Sequence, residues 1–319
     1  MTQNSNLLKS GIDYPRNWDQ FIDWFHNDQS CLDYISKIRW PNGFICPRCH
    51  VNKTPYKLKN GTLKCAVCRK ETSVTSGTIF NKTRTSLKDW FGAVWYITNQ
   101  KNGVSALGIY RLLGLGSYQT SWTLLHKLRS AMVNPTREKL SGLVEIDETF
   151  ISGGIVPRKN KGNNSSKSKI VVLVAVELLE PKGFGRVRLR HVSAATKDNI
   201  QKFILDVVNP GSVIYSDGSP AYNCAKENGF THHRTVHLGS DIAAHITMPG
   251  VHRVASLLKR WLLGAYQGAI QEKQLEYYLD EYTFRFNRRK SKSRGLLFYR
   301  LLEQAVITAP LTYDDIKAR

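Results

Sequence analysis

The sequence predicts an α/β protein in which a small metal-stapled module and a helical region precede a mixed β-sheet with flanking helices. Three observations predict it. Four of the six cysteines fall in two close pairs, Cys46 with Cys49 and Cys65 with Cys68, inside a short polar stretch. Apolar residues recur at helical spacing over residues 15–40 and again over 84–133. From about Leu143 three strand-like runs follow one another, then strand and helix alternate, and the remainder is helical.

These signals divide the chain into an N-terminal helical segment (1–43), a cysteine module (44–80), a helix-turn-helix-like region (81–140), a sheet-containing domain (141–290) and a C-terminal helical segment (291–319). In the first, Trp18, Phe21, Ile22 and Phe25 share one face of a helix that Pro41-Asn42-Gly43 breaks. In the third, Ser86 is placed to cap a helix through Leu87, Trp90, Phe91 and Val94. Val104, Leu107, Ile109 and Leu112 then form a helix, Gly114-Leu115-Gly116-Ser117 a tight turn, and Tyr118, Trp122, Leu125, Leu128 and Arg129 the next helix. In the fourth, LVEIDETFI, KIVVLVAVEL and GRVRLRHVS read as strands, Thr196 to Val208 as a helix, SVIYSD as a fourth strand, and Thr235 to Leu238 as a short fifth. A second helix starts near Pro220, and helices at Pro249–Gly264, Glu272–Asn287 and Leu296–Thr308 complete the chain.

The cysteine pairs are two C-x2-C knuckles separated by fifteen residues, the spacing of a closed tetrahedral zinc site. A segment this small and polar depends on the metal for its folding energy. Cys46, Cys49, Cys65 and Cys68 are therefore the expected ligands of a structural Zn²⁺, with His50 a bystander. Arg48, Lys64, Arg69 and Lys70 around them suit phosphate contact. Cys31 and Cys224 read as packing residues.

Charge points the same way. Lys and Arg total 46 against 25 Asp and Glu, a net +21, which calls for a polyanionic partner. The basic residues cluster, at Arg158, Lys159, Lys161, Lys167 and Lys169 and at Arg285, Arg288, Arg289, Lys290, Lys292 and Arg294. The longest apolar run, Ile170 to Val176, has strand length, far short of the ~20 residues a membrane helix needs. The N-terminal residues carry no apolar signal-peptide core, so the cytoplasm is the expected compartment.

Phosphodiester transfer on such a partner needs carboxylates that converge at strand ends to hold hard divalent ions. Asp147 lies in LVEIDETFI, where strand alternation puts Glu145, Asp147 and Thr149 on one face and Val144, Ile146 and Glu148 on the other. Asp217 ends the apolar strand SVIYSD, with Gly218 permitting a tight exit. Thirty-five residues on, His252 opens the helix MPGVHRVASLLKRWLLG. Val251, Val254, Leu258 and Leu262 form its buried stripe, while His252, Ser256 and Lys259 share a neighbouring face. His252 offers a nitrogen ligand and Lys259 a grip on phosphate; Glu145, Asp241 and Glu281 are the alternatives to His252.

With IRWPNGFICPRCH and its following CAVC, then SGTIF, LLHKLRSAM, EIDETFISGG, YSDGSPAY, HRVASLLKRWLLGAYQG and YYLDEYTFRFNRR, the chain resembles DDE-type insertion-sequence transposases of the ISXO-two-like group in the IS-1595 family. The resemblance covers nearly the whole chain. It implies a ribonuclease H-like catalytic core behind a zinc ribbon. It gives Asp147 and Asp217 the places of the first two catalytic acids, binding two Mg²⁺ or Mn²⁺ ions. His252 stands where many relatives of the wider superfamily carry Glu, and Lys259 matches the Lys that follows. Neutral His removes one charge and offers a softer donor. The implied partners are double-stranded DNA, both the terminal inverted repeats and the target, and further copies of the chain. The implied reaction is strand cleavage followed by strand transfer. Two other functions share these features: a DNA-binding regulator that no longer cuts, and a ribonuclease H-like nuclease that cuts without joining.

Overall fold

The computed structural model describes residues 8–58, 61–134, 136–152, 169–235, 247–267 and 270–318. The chain folds into two compact units, one of Met1–Asn134 with Lys290–Ile316 and one of Pro135–Arg289 with the last three residues.

The first unit begins with α1 (Trp18–Trp24) and α2 (Asp28–Arg39), two helices where the periodicity predicts one. Asn27 is the reason. Its side chain accepts the Ser30 backbone N–H at 2.9 Å, and the Ser30 hydroxyl faces the Asn27 N–H in return, a capping box that starts a new helix. The shared face needs correcting too. Phe21 and Phe25 are buried, but Trp18 and Ile22 stay about half exposed, because α1 is too short to bury more than one edge. The cysteine module is a three-stranded antiparallel sheet of β1 (Tyr56–Lys57), β2 (Leu63–Lys64) and β3 (Glu71–Thr72). Then come α3 (Leu87–Asn99), capped by Ser86, α4 (Ala106–Leu113) and α5 (Tyr118–Ser130), capped by Ser117. Gly114 ends α4 in the left-handed region at φ 61°, as a tight helix exit requires. Val104 is buried but precedes α4, and only Ile109 of its expected apolar face is buried within the helix.

The second unit holds β4 (Leu143–Ser152), β5 (Lys169–Leu178), β6 (Phe184–Val192), α6 (Lys197–Val207), β7 (Val213–Asp217), α7 (Cys224–Glu227), β8 (Thr231–Thr235), α8 (Pro249–Tyr266) and α9 (Leu275–Asn287). The strands form one sheet in the order β6-β5-β4-β7-β8. β4, β5 and β6 are an antiparallel meander; β7 and β8 run parallel to β4. This is a ribonuclease H-like mixed sheet with helices on both faces. One face packs Val172, Val174 and Val176 under Val251, Val254, Leu258 and Leu262. The other packs Val144, Ile146, Leu173 and Ala175 under Ile200, Phe203 and Tyr222. β5 is thus buried on both sides, which accounts for its unbroken apolar run.

The fifth strand covers Thr231–Thr235 and meets the expected Thr235 to Leu238 at Thr235; the last three of those residues fall outside the described ones, as do Arg158, Lys159, Lys161 and Lys167. THHRT is an edge strand with half-exposed polar side chains, so backbone pairing to β7 fixes it and no apolar pattern marks it. The chain ends with α10 (Arg294–Ala305) and α11 (Tyr313–Ala318). α10 completes the first unit: the Phe298 ring lies 5.6 Å from each of Phe21, Phe25, Phe91 and Trp95. Each such pair contributes ~0.5–1.5 kcal/mol beyond its buried area. A Cβ on Gly295 would overlap the Pro15 carbonyl, so glycine is what lets α10 approach. No described helix is long and apolar enough to cross a membrane.

Candidate active site

The site is built on two parallel neighbours. β4 and β7 pair Val144 with Ile214 and Glu145 with Tyr215. Continued by two residues, that register sets Asp147 level with Asp217, at the point where β7 ends. Beyond it β4 has no partner on that side among the described residues, so side chains from both of its faces can swing round that edge. Asp147, Glu148 and Asp217 do this: each offers a carboxylate oxygen, and the three lie within 4.8 Å of one another.

Each acid is held. Asp147 accepts the Glu148 backbone N–H at 2.8 Å, and Asp217 accepts that of Ser219 at 3.0 Å. Glu148 accepts the Tyr222 hydroxyl at 2.7 Å, and Tyr222 is fully buried among the residues under α6. Burial, then the neighbouring charges of Glu148, Asp217 and Glu145, push the Asp147 carboxyl up to about 7. Three crowded hard donors with one acid so raised fit a divalent cation, which would relieve the repulsion.

Asp147, Glu148 and Thr149 form one wall of a cavity of about 350 Å³. The other wall is α8, which contributes Val251, His252, Ala255, Ser256 and Lys259. All three residues of the predicted polar face therefore reach the cavity, while Val251, Val254, Leu258 and Leu262 are buried as the spacing predicts. The converging donors are Asp147, Glu148 and Asp217; His252 lines the same cavity but stands apart from that group.

Two of the alternatives to His252 have other work. Glu145 is buried and accepts the Val251 N–H at 2.8 Å, tying the start of α8 to β4. Glu281, fully buried, accepts the Arg285 guanidinium at 2.8 Å and the Tyr266 hydroxyl at 3.1 Å. Asp241 lies outside the described residues. Glu148 and its Tyr222 support escape strand alternation, which assigns Glu148 to the face opposite Asp147. The only signal in the sequence is the density of acids, three in four residues. The C-terminal basic cluster is partly spent on packing: Arg288 and Arg289 each lie 4.0 Å over a phenylalanine ring.

In the cysteine module all four thiol sulfurs lie within 4.8 Å of one another, with Cys46 3.5 Å from Cys68 and Cys49 3.7 Å from Cys65. Tetrahedral zinc with ~2.3 Å bonds to sulfur sets such sulfurs ~3.8 Å apart. The two knuckles match: Arg48 N–H reaches the Cys46 sulfur and Val67 N–H the Cys65 sulfur, both at 3.4 Å. His50 (φ 56°) and Arg69 (φ 59°) turn left-handed just after each pair. The backbone N–H groups of Cys49 and Arg48 pull the Cys46 thiol down to about 6, whereas burial and the neighbouring sulfurs push the Cys49 thiol up to about 11. Arg48, Arg69 and Lys70 are exposed around the knuckles, and Lys64 pairs with Glu71 at 3.1 Å.

Comparison with known proteins finds two family models. Residues 139–287 match an ISXO2-like transposase domain, and residues 26–71 match a transposase zinc-ribbon domain. A protein of the transposable element ISH50 of Halobacterium salinarum, itself described as uncharacterized, is 26% identical over 261 residues, 76% of this chain and 85% of that protein. Among solved structures, the catalytic core domain of BIV integrase is 22% identical, with 49% of this chain and 90% of that one covered and a TM-score of 0.32. A pre-cleavage Mos1 transpososome is 10% identical, with 68% and 75% covered and a TM-score of 0.29.

Proposed function

Because the chain belongs to the ISXO2-like transposases and carries their zinc ribbon, we propose that it binds the terminal inverted repeats of an insertion sequence and catalyses metal-dependent cleavage and strand transfer at their ends. The observation that carries this reading is the convergence of Asp147, Glu148 and Asp217 where β7 ends beside β4.

In this reading Asp147, Glu148 and Asp217 hold Mg²⁺ or Mn²⁺. Bound there, such ions activate an attacking oxygen and neutralise charge on the phosphate in transfer. The chain's own residues do the positioning. Tyr222 fixes the Glu148 carboxylate, and Glu145 anchors α8 against β4. From α8, Lys259 offers a cation to the DNA phosphate, and His252 supplies a nitrogen at the cavity wall as ligand or hydrogen-bond donor. The four cysteines hold a structural Zn²⁺. The ribbon and the α4–α5 hairpin bind the DNA ends, and two or more copies pair them, in the cytoplasm where the element resides.

The test is a strand-transfer assay on the flanking repeats with Mg²⁺ or Mn²⁺. Wild-type protein is expected to nick the end and join the freed 3′-hydroxyl to target DNA. Asp147→Ala is expected to abolish both steps and leave end binding intact; retained transfer would overturn the site. Cleavage without joining would make the protein a nuclease, and binding without cleavage a regulator.

A further inference from the structure

A second cavity, of about 260 Å³, lies in the first unit and shares no lining residue with the cavity beside Asp147. One wall is the loop before α3, with Lys82, Thr83, Arg84 and Thr85. The other is α5, with Thr120, Thr123 and Lys127, which share a face because they are spaced by three and four residues. Trp90 and Leu124, both buried, form part of the lining.

The chemistry of this lining is one-sided. It holds three cations and no carboxylate. Lys82 and Arg84 are exposed, whereas Lys127 is half-buried, and burial lowers its pKa, with only Asp315 opposing. An ammonium held partly out of water gains most from an anion placed against it. The loop is fixed in place. Lys82 turns left-handed at φ 52°, and the Thr83 hydroxyl accepts the Trp90 indole N–H at 2.9 Å and the Thr85 N–H at 3.2 Å. Across the gap, the Ser117 hydroxyl accepts the Thr120 N–H at 3.0 Å and shares a 2.9 Å hydrogen bond with the Thr120 hydroxyl, which fixes that end of the wall, and Thr123 lies on the α5 wall facing the same cavity as the cations. Cations and hydroxyls on two rigid walls make a receptor for tetrahedral oxyanions, and the cavity opens beside the turn of the α4–α5 hairpin.

We propose that this cavity, formed by Lys82, Arg84 and Lys127, grips one backbone phosphate of double-stranded DNA and so sets the register of the α4–α5 hairpin on the duplex. This rests on the reading that the protein binds DNA ends. A phosphate contact positions a recognition element without reading sequence.

The test uses full-length, zinc-loaded protein and measures binding to the terminal-repeat duplex and to an unrelated duplex across a salt series. K82Q/R84Q changes only exposed side chains; K127Q is the second variant. Each is expected to weaken binding to both duplexes alike and to flatten the plot of log K against log salt by about 0.9, the loss of one phosphate contact. A single methylphosphonate substitution in the duplex is expected to reproduce that loss for wild type and to add nothing for the variants. An unchanged salt slope in both variants, or losses that simply add, overturns the proposal. So does binding of inorganic phosphate to the cavity, at constant ionic strength, that leaves DNA affinity and its salt slope unchanged, which would reassign the cavity to a free anion. Metal-dependent cleavage by the wild-type protein is scored separately. Its absence would sink the transposase reading and leave the phosphate contact standing.

Discussion

Asp147 and Glu148 leave β4 on opposite faces, yet their carboxylates meet beside Asp217. Alternation along a strand places Cβ atoms, and strand ends and spacing single out Asp147 and Asp217 as candidates. It cannot show that the neighbouring strand stops short, and that open edge is what admits Glu148. Tyr222 was equally illegible: nothing in SDGSPAY separates a buried tyrosine from a surface one. Tyr222→Phe keeps the packing and removes the hydroxyl that holds Glu148, so Mn²⁺ affinity is expected to fall about tenfold or more, as for other residues that orient a metal ligand; a metal titration checks it. Glu177 is a residue of another kind. Burial would raise its pKa, but hydrogen bonds from the Arg186 guanidinium and from the Arg186 and Ser141 N–H groups overcome that and hold it low. A depressed carboxyl stabilises the fold above its unfolded pKa of ~4.3 and loses that contribution as pH falls through the lower folded value. Glu177→Gln is expected to cost about 1–3 kcal/mol at neutral pH and to flatten the acid limb of the stability profile, read by denaturant unfolding.

The elements were largely legible where apolar spacing was regular. The meander, α6 and the buried stripe of α8 follow from periodicity alone, and β5 from its unbroken run. Where a polar residue makes the boundary, the pattern is silent. Asn27 splits one expected helix into α1 and α2, and the edge strand β8 carries too little apolar character to be placed. The start of α8 depends on a close approach: a Cβ on Gly250 would lie 2.8 Å from a Glu145 oxygen and 3.1 Å from Leu178. Gly250→Ala is expected to push α8 off Glu145 and leave a buried carboxylate without its N–H donor. That costs about 1–3 kcal/mol and lowers cleavage through the displaced His252 and Lys259, measurable by chemical unfolding and by the nicking rate. In the cysteine module, spacing alone foretold that the four thiols converge, because two tight knuckles aim them at one point. Cys65→Ser is expected to lose the zinc and end binding, with the sheet unit still folded by amide exchange; a variant that keeps stoichiometric zinc would overturn the four-thiolate assignment.

At the scale of the molecule, the sequence reads as a succession of segments, and the fold is interleaved. A helical pattern from Leu296 onward says that a helix forms but not which core it joins. That depends on Phe298 meeting four aromatic rings contributed by residues 21–95. A fragment of residues 1–134 is therefore expected to be poorly packed and to bind a hydrophobic dye, and a peptide of residues 290–316 is expected to restore cooperative unfolding; a fragment that unfolds cooperatively alone would contradict this. The return of α10 to the first unit has a genetic corollary. With end binding as proposed, a copy interrupted by a frameshift or stop codon before α10 is expected to yield no truncated protein that occupies the ends, and decayed copies of the gene are expected not to act as dominant repressors of intact ones.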